Sequence, residues 1–250
     1  MILTIARREF RSMFLSPLAW VILAVVQVIL AWSFFSAVDV FFSLQEKLTT
    51  IKNSPGVTDL IASPLFEVSS VVLLMIMPLI TMRLISEDKR NKTMSLLLSA
   101  PISITEIVLG KYLGLLFFII VLLFMIALMP LSLSMGTELD LAKIFSGTLG
   151  LFLVLAAFGA AGLYMSSLTD NPMIAAISTF GVLLLLWMVN VNVVSVGDNN
   201  SALSYLSLQT HFTALLRGVL NTRDIAYFLL FILGFIVLSI RELETQRLQS

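Results

Sequence analysis

The chain contains no cysteine and a single histidine. Without thiols there is no disulfide frame, no thiol nucleophile and no Cys-ligated metal, and the redox compartment cannot be inferred. Charge is scarce too: 12% of the 250 residues are Asp, Glu, Lys or Arg, against about 25% in a soluble domain. A water-soluble globular fold is thereby excluded. With 15 basic and 15 acidic residues the formal net charge is zero, so no global attraction to nucleic acid follows.

What fills the chain instead is apolar: 59% of residues are hydrophobic and the mean hydropathy is +1.04. No charged residue lies between Arg11 and Asp39, Lys111 and Glu138, Lys143 and Asp170, or Asp170 and Asp198. Each of these runs exceeds the roughly 20 residues that a helix needs to cross a hydrocarbon core. Two shorter runs, Glu67 to Arg83 and Asp224 to Arg241, span if their flanking charges snorkel to the interfaces. The expected fold class is therefore an all-α membrane protein with six transmembrane helices, over residues 18–38, 66–84, 104–131, 144–168, 172–194 and 226–240. The first run is too long for a signal-peptide core and follows an amphipathic segment, so it reads as a retained helix.

That segment, residues 1–16, places Leu3, Ala6, Phe10, Met13 and Phe14 at helical spacing and gathers Arg7, Arg8 and Arg11 opposite. Such a basic amphipathic helix lies in the membrane surface. Pro17 permits a turn into the first span, where Trp20 and Trp32 suit interfacial anchors. The polar stretch Ser43 to Pro64 holds the turn signal Asn53-Ser54-Pro55-Gly56, and Pro78 is expected to kink the second span. Ser103-Ile104-Thr105-Glu106 reads as a capping box opening the third. In the fourth, Ala156, Ala157, Gly159, Ala160, Ala161 and Gly162 predict burial against protein rather than lipid. Asn171 and Pro172 suit the cap and first residue of the fifth. Arg241 to Ser250 reads as a charged tail.

Lys and Arg divide ten against five between the two sides, the richer holding Arg7, Arg8, Arg11, Arg83, Lys89, Arg90, Lys92, Lys111, Arg241 and Arg247. The positive-inside rule then places both termini in the cytoplasm. No internal repeat of the secondary-transporter kind is evident.

Few residues carry chemistry. There is no H-E-x-x-H zinc motif, no G-x-S-x-G elbow and no G-x-x-x-x-G-K-[ST] phosphate loop; Gly110-Lys111 only opens a membrane helix. No catalytic residue, bound cofactor or metal ligand is expected, and the chain itself does not hydrolyse nucleotide. Ionisable groups in span interiors would mark ion-coupled transport, and the pattern places none there. His211, with no second ligand nearby, reads as a hydrogen-bonded structural histidine. Phe212, Leu215, Leu216 and Val219 recur beside it at helical spacing, which suggests an amphipathic or re-entrant helix over residues 204–220.

Residues 86–100 are the most polar connection, charged in the first half and apolar from Met94 to Ala100. Two readings stand. It is a solvated loop whose leucines dip into the headgroups, or a docking element, since Leu96, Leu97 and Leu98 cannot all face lipid on one short helix and an exposed apolar patch marks a partner site.

Several stretches together resemble the membrane permease subunits of ABC-2-type exporters, in particular the gliding-motility-associated, GldF-like branch. They are Ala6-Arg7-Arg8-Glu9-Phe10 with Ser16-Pro17; Glu87 to Leu97 with Ala100-Pro101-Ile102-Ser103; Glu106 to Tyr112; and His211-Phe212, Arg217-Gly218-Val219-Leu220, Arg223-Asp224 and Tyr227-Phe228. The family pattern has a glycine before the threonine at Thr93, where this chain has Lys92.

The resemblance implies a single transmembrane domain over residues 1–250, a half-transporter working as a homodimer with two separate cytosolic ABC ATPase subunits that carry ATP and Mg. It implies an interfacial helix over residues 1–16 and a cytoplasmic coupling helix over residues 86–100. Arg7, Arg8, Glu87, Asp88, Lys89, Arg90, Lys92, Thr93, Met94, Leu96 and Leu97 would touch the ATPase. An extracellular gate would hold His211, Phe212, Arg217 and Gly218. A multi-pass protein of the bacterial inner membrane follows, with an accessory periplasmic or membrane partner conceivable and no nucleic acid. The alternative is a non-transporting subunit that passes ATPase motion to a periplasmic or extracellular partner.

Overall fold

A computed structural model describes residues 1–48, 56–94, 102–137, 139–196 and 207–249. Every element among them is helical. The helices are α1 (Ile2–Leu15), α2 (Pro17–Leu48), α3 (Ser63–Thr81), α4 (Ser86–Arg90), α5 (Ile104–Ser132), α6 (Leu141–Leu168), α7 (Pro172–Val196), α8 (Leu208–Leu216) and α9 (Thr222–Gln249). A π-helical turn, Thr58–Ala62, leads into α3.

Five stretches are long and apolar enough to cross a membrane: Pro17–Leu44, Thr58–Arg90, Ile104–Ser132, Leu141–Leu168 and Thr222–Arg247, with a shorter apolar one at Pro172–Met188. The chain is a multi-pass helical membrane protein. Local signals account for several boundaries. The Ser103 hydroxyl accepts the Glu106 amide (3.2 Å) while the Glu106 carboxylate accepts the Ser103 amide (3.3 Å), so the predicted capping box opens α5. The Met173 amide donates to Asn171 Oδ1 at 3.0 Å, capping α7 ahead of Pro172.

The core is centred on α6. Its apolar window is 78% buried, against 28% for those of α2 and α9, and it contacts α3, α5, α7, α8 and α9. The cause is the small-residue run: Ala156, Ala157, Gly159, Ala160, Ala161 and Gly162 are all buried. Lipid tails are as apolar as side chains, so helices associate in a bilayer through close packing. At Gly162 an added Cβ would lie 2.6 Å from Thr81 Cβ, and at Gly159 2.6 Å from Leu115 Cδ2. The Tyr112 hydroxyl ties α5 to α6 by donating to the Ala156 carbonyl at 2.9 Å.

Several elements differ from expectation. Helix α2 continues through Ser43 to Leu48, and α3 begins at Ser63, so much of the predicted polar loop is helical. The turn signal at Asn53-Ser54-Pro55 falls outside the described residues. Pro64 sits in the first turn of α3, where its missing N–H leaves no bond unmade. Pro78 lies in the last turn before α3 stops at Thr81, so it precedes an end rather than a mid-span kink. The charged tail is helical through Gln249, with Gln246 Nε2 donating to Glu242 Oε1 one turn back (2.8 Å).

Candidate functional site

The charged connection after α3 is tied to the bundle on two sides. On the first, the Ser166 hydroxyl near the end of α6 accepts the Ile85 amide (3.1 Å) and the Ser86 amide (3.0 Å) and donates to the Met82 carbonyl (3.0 Å). One side chain thus meets the polar groups left open where α3 ends and α4 begins. Lys89 Nζ donates to the Ser167 carbonyl (2.5 Å), an orphan acceptor at the end of α6, and stands 4.0 Å from Asp170. Gln246 of α9 reaches the same carbonyl at 3.3 Å.

On the second side, Lys111 in the second turn of α5 lies with its side chain 3% exposed. Its ammonium is 2.5 Å from Glu9 Oε1 on α1 and 2.6 Å from Asp88 Oδ2 on α4. A lysine at this depth needs close partners, and two carboxylates supply them. Helix α1 is brought close by Gly110 and Gly114, four residues apart. An added Cβ at Gly110 would lie 2.7 Å from Ile5 Cβ, and one at Gly114 2.7 Å from Glu9 Cβ and 3.0 Å from the Ala6 carbonyl. Further on, Phe10 meets Phe117 edge-on and Phe14 lies tilted against Phe118. The contacts advance in step, so α1 runs alongside the first turns of α5 in the same direction. The amphipathic helix is therefore held by protein as well as by any membrane surface.

Residues 86–94 do not form the single helix expected. Helix α4 stops at Arg90, and Lys92 adopts φ +56°, a left-handed conformation that disfavours side chains with Cβ. The Lys92 amide donates to the Lys89 carbonyl at 3.0 Å, as in a glycine-type helix stop. The Thr93 hydroxyl then lies 3.0 Å from Asp88 Oδ1 and 3.2 Å from the Asp88 carbonyl, closing the turn.

The predicted partner-facing residues separate accordingly. Arg7, Arg8, Glu87, Arg90 and Lys92 are exposed. Asp88 and Lys89 turn inward onto Lys111 and Ser167, Thr93 caps onto Asp88, and Met94 is buried. Leu96 and Leu97 lie outside the described residues. Lys111, Glu9 and Ser166 were not singled out as site residues. The available signals were a lysine inside an apolar run and the Gly110-x-x-x-Gly114 spacing; a lone serine gives none.

At the opposite end of α6, α8 packs its buried face, including Leu208, His211, Phe212 and Leu215, against α6 and α7. Gly150 approaches Leu215 and Phe212 there, and Ser146 Oγ donates to the Leu215 carbonyl at 2.7 Å. These contacts fall five to nine residues inside α6, or about 8–14 Å along it at 1.5 Å per residue. His211 Nδ1 lies 2.6 Å from Asp224 Oδ1, and its ring stacks on Tyr227 at 4.2 Å between centroids. Arg217 and Gly218 form the exposed turn after α8. Gly218 has φ +82° and sits over Lys143, whose Nζ is 3.0 Å from Asp59 Oδ1. Residues 204–206 of the expected re-entrant element lie outside the described residues.

The exposed apex at Arg90 to Lys92 is thus joined to α3 by covalent connection, to α6 through Ser166 and Ser167, and to α5 and α1 through Lys111. A family model described as "ABC-2 family transporter protein" matches residues 3–248. No curated protein matches the chain.

Proposed function

This chain belongs to the ABC-2 family of transporter proteins, and from that premise we propose that it is the permease subunit of an ATP-driven exporter, driven through residues 86–100. Membership implies an ABC ATPase partner. The reading adds six spans with cytoplasmic termini in a bacterial inner membrane, a homodimer bound to two ATPase subunits, and the gliding-motility-associated branch. ATP and Mg reside on the ATPase; this chain binds no cofactor and catalyses no reaction. The carrying observation is the double anchorage of α4, through Lys111 to α5 and α1 and through Ser166 to α6. A permease that borrows ATP energy needs such a rigid lever and a rearrangement of packed helices, and it needs no charged relay of its own. Arg7, Arg8, Glu87, Arg90 and Lys92 meet the ATPase from the exposed side, with Leu96 and Leu97 continuing the contact. At the far end α8 is the re-entrant gate element, with His211 and Phe212 seated inside and Arg217 and Gly218 at the turn.

The test is copurification from native membranes with mass spectrometry of the bound subunits. Recovery of an ATPase carrying a phosphate loop is expected, with loss of ATPase-coupled transport in Glu87→Lys and Leu97→Glu. Undiminished assembly and transport in both variants would overturn the assignment.

A second reading, a subunit that transmits motion without transporting, is favoured by one observation. The hydroxyls of Ser69, Ser70 and Thr179, polar groups within the spans, donate to carbonyls of their own helices: Leu65 at 2.7 Å, Glu67 at 2.7 Å and Ala175 at 2.6 Å. A hydrophilic cargo would find little at these positions. Transport by the reconstituted complex separates the two readings.

A further inference from the structure

A cavity of about 560 Å³ lies where α1, the start of α2, the end of α3 and α4 meet, a volume typical of small-molecule sites. Its walls divide by chemistry. Leu18 and Ile22 of α2, Leu79 and Ile80 of α3 and Phe118 of α5 line the apolar part. Arg8, Arg83 and Glu87 line the polar part, backed by Glu9, Asp88 and Lys111. Two carboxylates share the single Lys111 ammonium, which leaves one negative charge in surplus beside Glu87. Against it stand the two guanidiniums. Arg8 and Glu87 make no ion pair among the described residues, and Arg83 has only a long 3.4 Å contact to Ser16 Oγ. The cavity thus offers two positive and two negative units, an overall balance of zero, beside an apolar wall.

We propose that this cavity binds the headgroup of a zwitterionic, phosphate-bearing amphiphile, a phospholipid of the phosphoethanolamine type. The phosphate sits on Arg8 and Arg83, whose planar forks match phosphate oxygens. The ammonium faces Glu87 and the surplus charge of the Glu9–Lys111–Asp88 group. The acyl chains leave along Leu18, Ile22 and Leu79. The mixed lining argues for an amphiphile: a soluble phosphate would use the guanidiniums and leave the apolar wall unmatched. The location agrees, because the cavity lies at the Ser16–Pro17 junction between an amphipathic helix and a span, where headgroups and hydrocarbon meet. A lipid seated there touches α1, α2, α3 and α4 together, so its headgroup becomes part of the assembly that holds α4. This inference goes beyond the permease reading: Arg8 and Glu87 are shared with the proposed ATPase contact, but Arg83 and Ala19 belong to the cavity alone, so lipid binding by the isolated chain tests it apart from the ATPase.

The whole chain, delipidated in detergent, is titrated with dioleoyl phosphatidylethanolamine, phosphatidylglycerol, phosphatidylcholine or inorganic phosphate, and bound species are counted by native mass spectrometry. Phosphatidylethanolamine is expected to bind most tightly. Losing one guanidinium–phosphate contact in Arg83→Gln or Arg8→Gln weakens it by about tenfold. Glu87→Gln is expected to narrow the preference over phosphatidylglycerol. Ala19→Phe, which fills the apolar part while leaving every charge in place, abolishes binding, and Arg241→Gln, remote on α9, leaves it unchanged. A thermal unfolding trace for each variant confirms that it is folded. Equal retention of all three lipids, binding indifferent to Arg8 and Arg83, or inorganic phosphate binding as well as the lipid would each overturn the proposal.

Discussion

Replacing Lys111 by methionine keeps the length of the side chain and removes its charge. In the wild type the ammonium lies 2.5 Å from Glu9 and 2.6 Å from Asp88, with the lysine side chain 3% exposed. The variant leaves both carboxylates facing an apolar group. Breaking a buried ion pair from one side costs about 3–5 kcal/mol, because the remaining charge is uncompensated. Glu9 and Asp88 retain 20% and 23% exposure, so water relieves them in part and the expected loss is about 3 kcal/mol. For a chain of this size that corresponds to a fall of about 6–12 °C in Tm. The assay is thermal unfolding in nanodiscs, followed by tryptophan fluorescence, together with the rate of tryptic cleavage at Arg90. Release of α4 is expected to speed that cleavage. The triple variant Glu9→Gln, Lys111→Met, Asp88→Asn removes all three charges and is expected to recover most of the loss, because neutral groups can be buried with their hydrogen bonds. An unchanged Tm and cleavage rate in Lys111→Met, or a triple variant worse than the single, would refute the anchoring argument.

Three further outcomes follow from local geometry. Lys92→Gly relieves a left-handed residue at a helix stop and is expected to stabilise the chain by about 1 kcal/mol, whereas Lys92→Val destabilises it; the same thermal assay reads both. Ser166→Ala orphans the amides of Ile85 and Ser86, with an expected loss of about 2 kcal/mol and faster amide hydrogen exchange confined to the start of α4. His211→Phe leaves Asp224 buried without its 2.6 Å partner and is expected to cost about 1–3 kcal/mol, while Asp224→Asn in the His211→Phe background recovers part of it.

Much of the fold is legible because membrane helices announce themselves by charge-free length, and caps by residue type. The capping box at Ser103 and Glu106 and the Asn171–Pro172 start needed only local rules. The burial of α6 followed from its alanines and glycines. Boundaries outside the apolar runs were harder: the chain after Val38 stays helical as far as Leu48 and the charged tail through Gln249, since polar residues at helix ends are satisfied by water and by each other. The site was only partly legible. Composition marked the charged connection but not its break, because a left-handed lysine at position 92 looks like any other charge. By sequence Lys111 reads as the opening of a span, and its partners lie 102 residues earlier in α1 and across a chain reversal in α4. Such an ion group depends on tertiary approach: the Gly110-x-x-x-Gly114 spacing marks a face of α5 open to close packing, but not which helix meets it. Ser166 is similar: its role exists only because α3 ends beside α6.

The absence of native cysteine makes the central claim directly testable. A cysteine placed at exposed Arg90 or Asn91, labelled with a photoactivatable maleimide in native membranes, reports what meets the apex of the 86–94 connection. The account predicts a crosslink to an ATPase subunit bearing a phosphate loop, lost when the same label is placed at Arg217. A label at Arg90 that captures no such subunit, or that reacts only with reagents added from the outer side of the membrane, would contradict it.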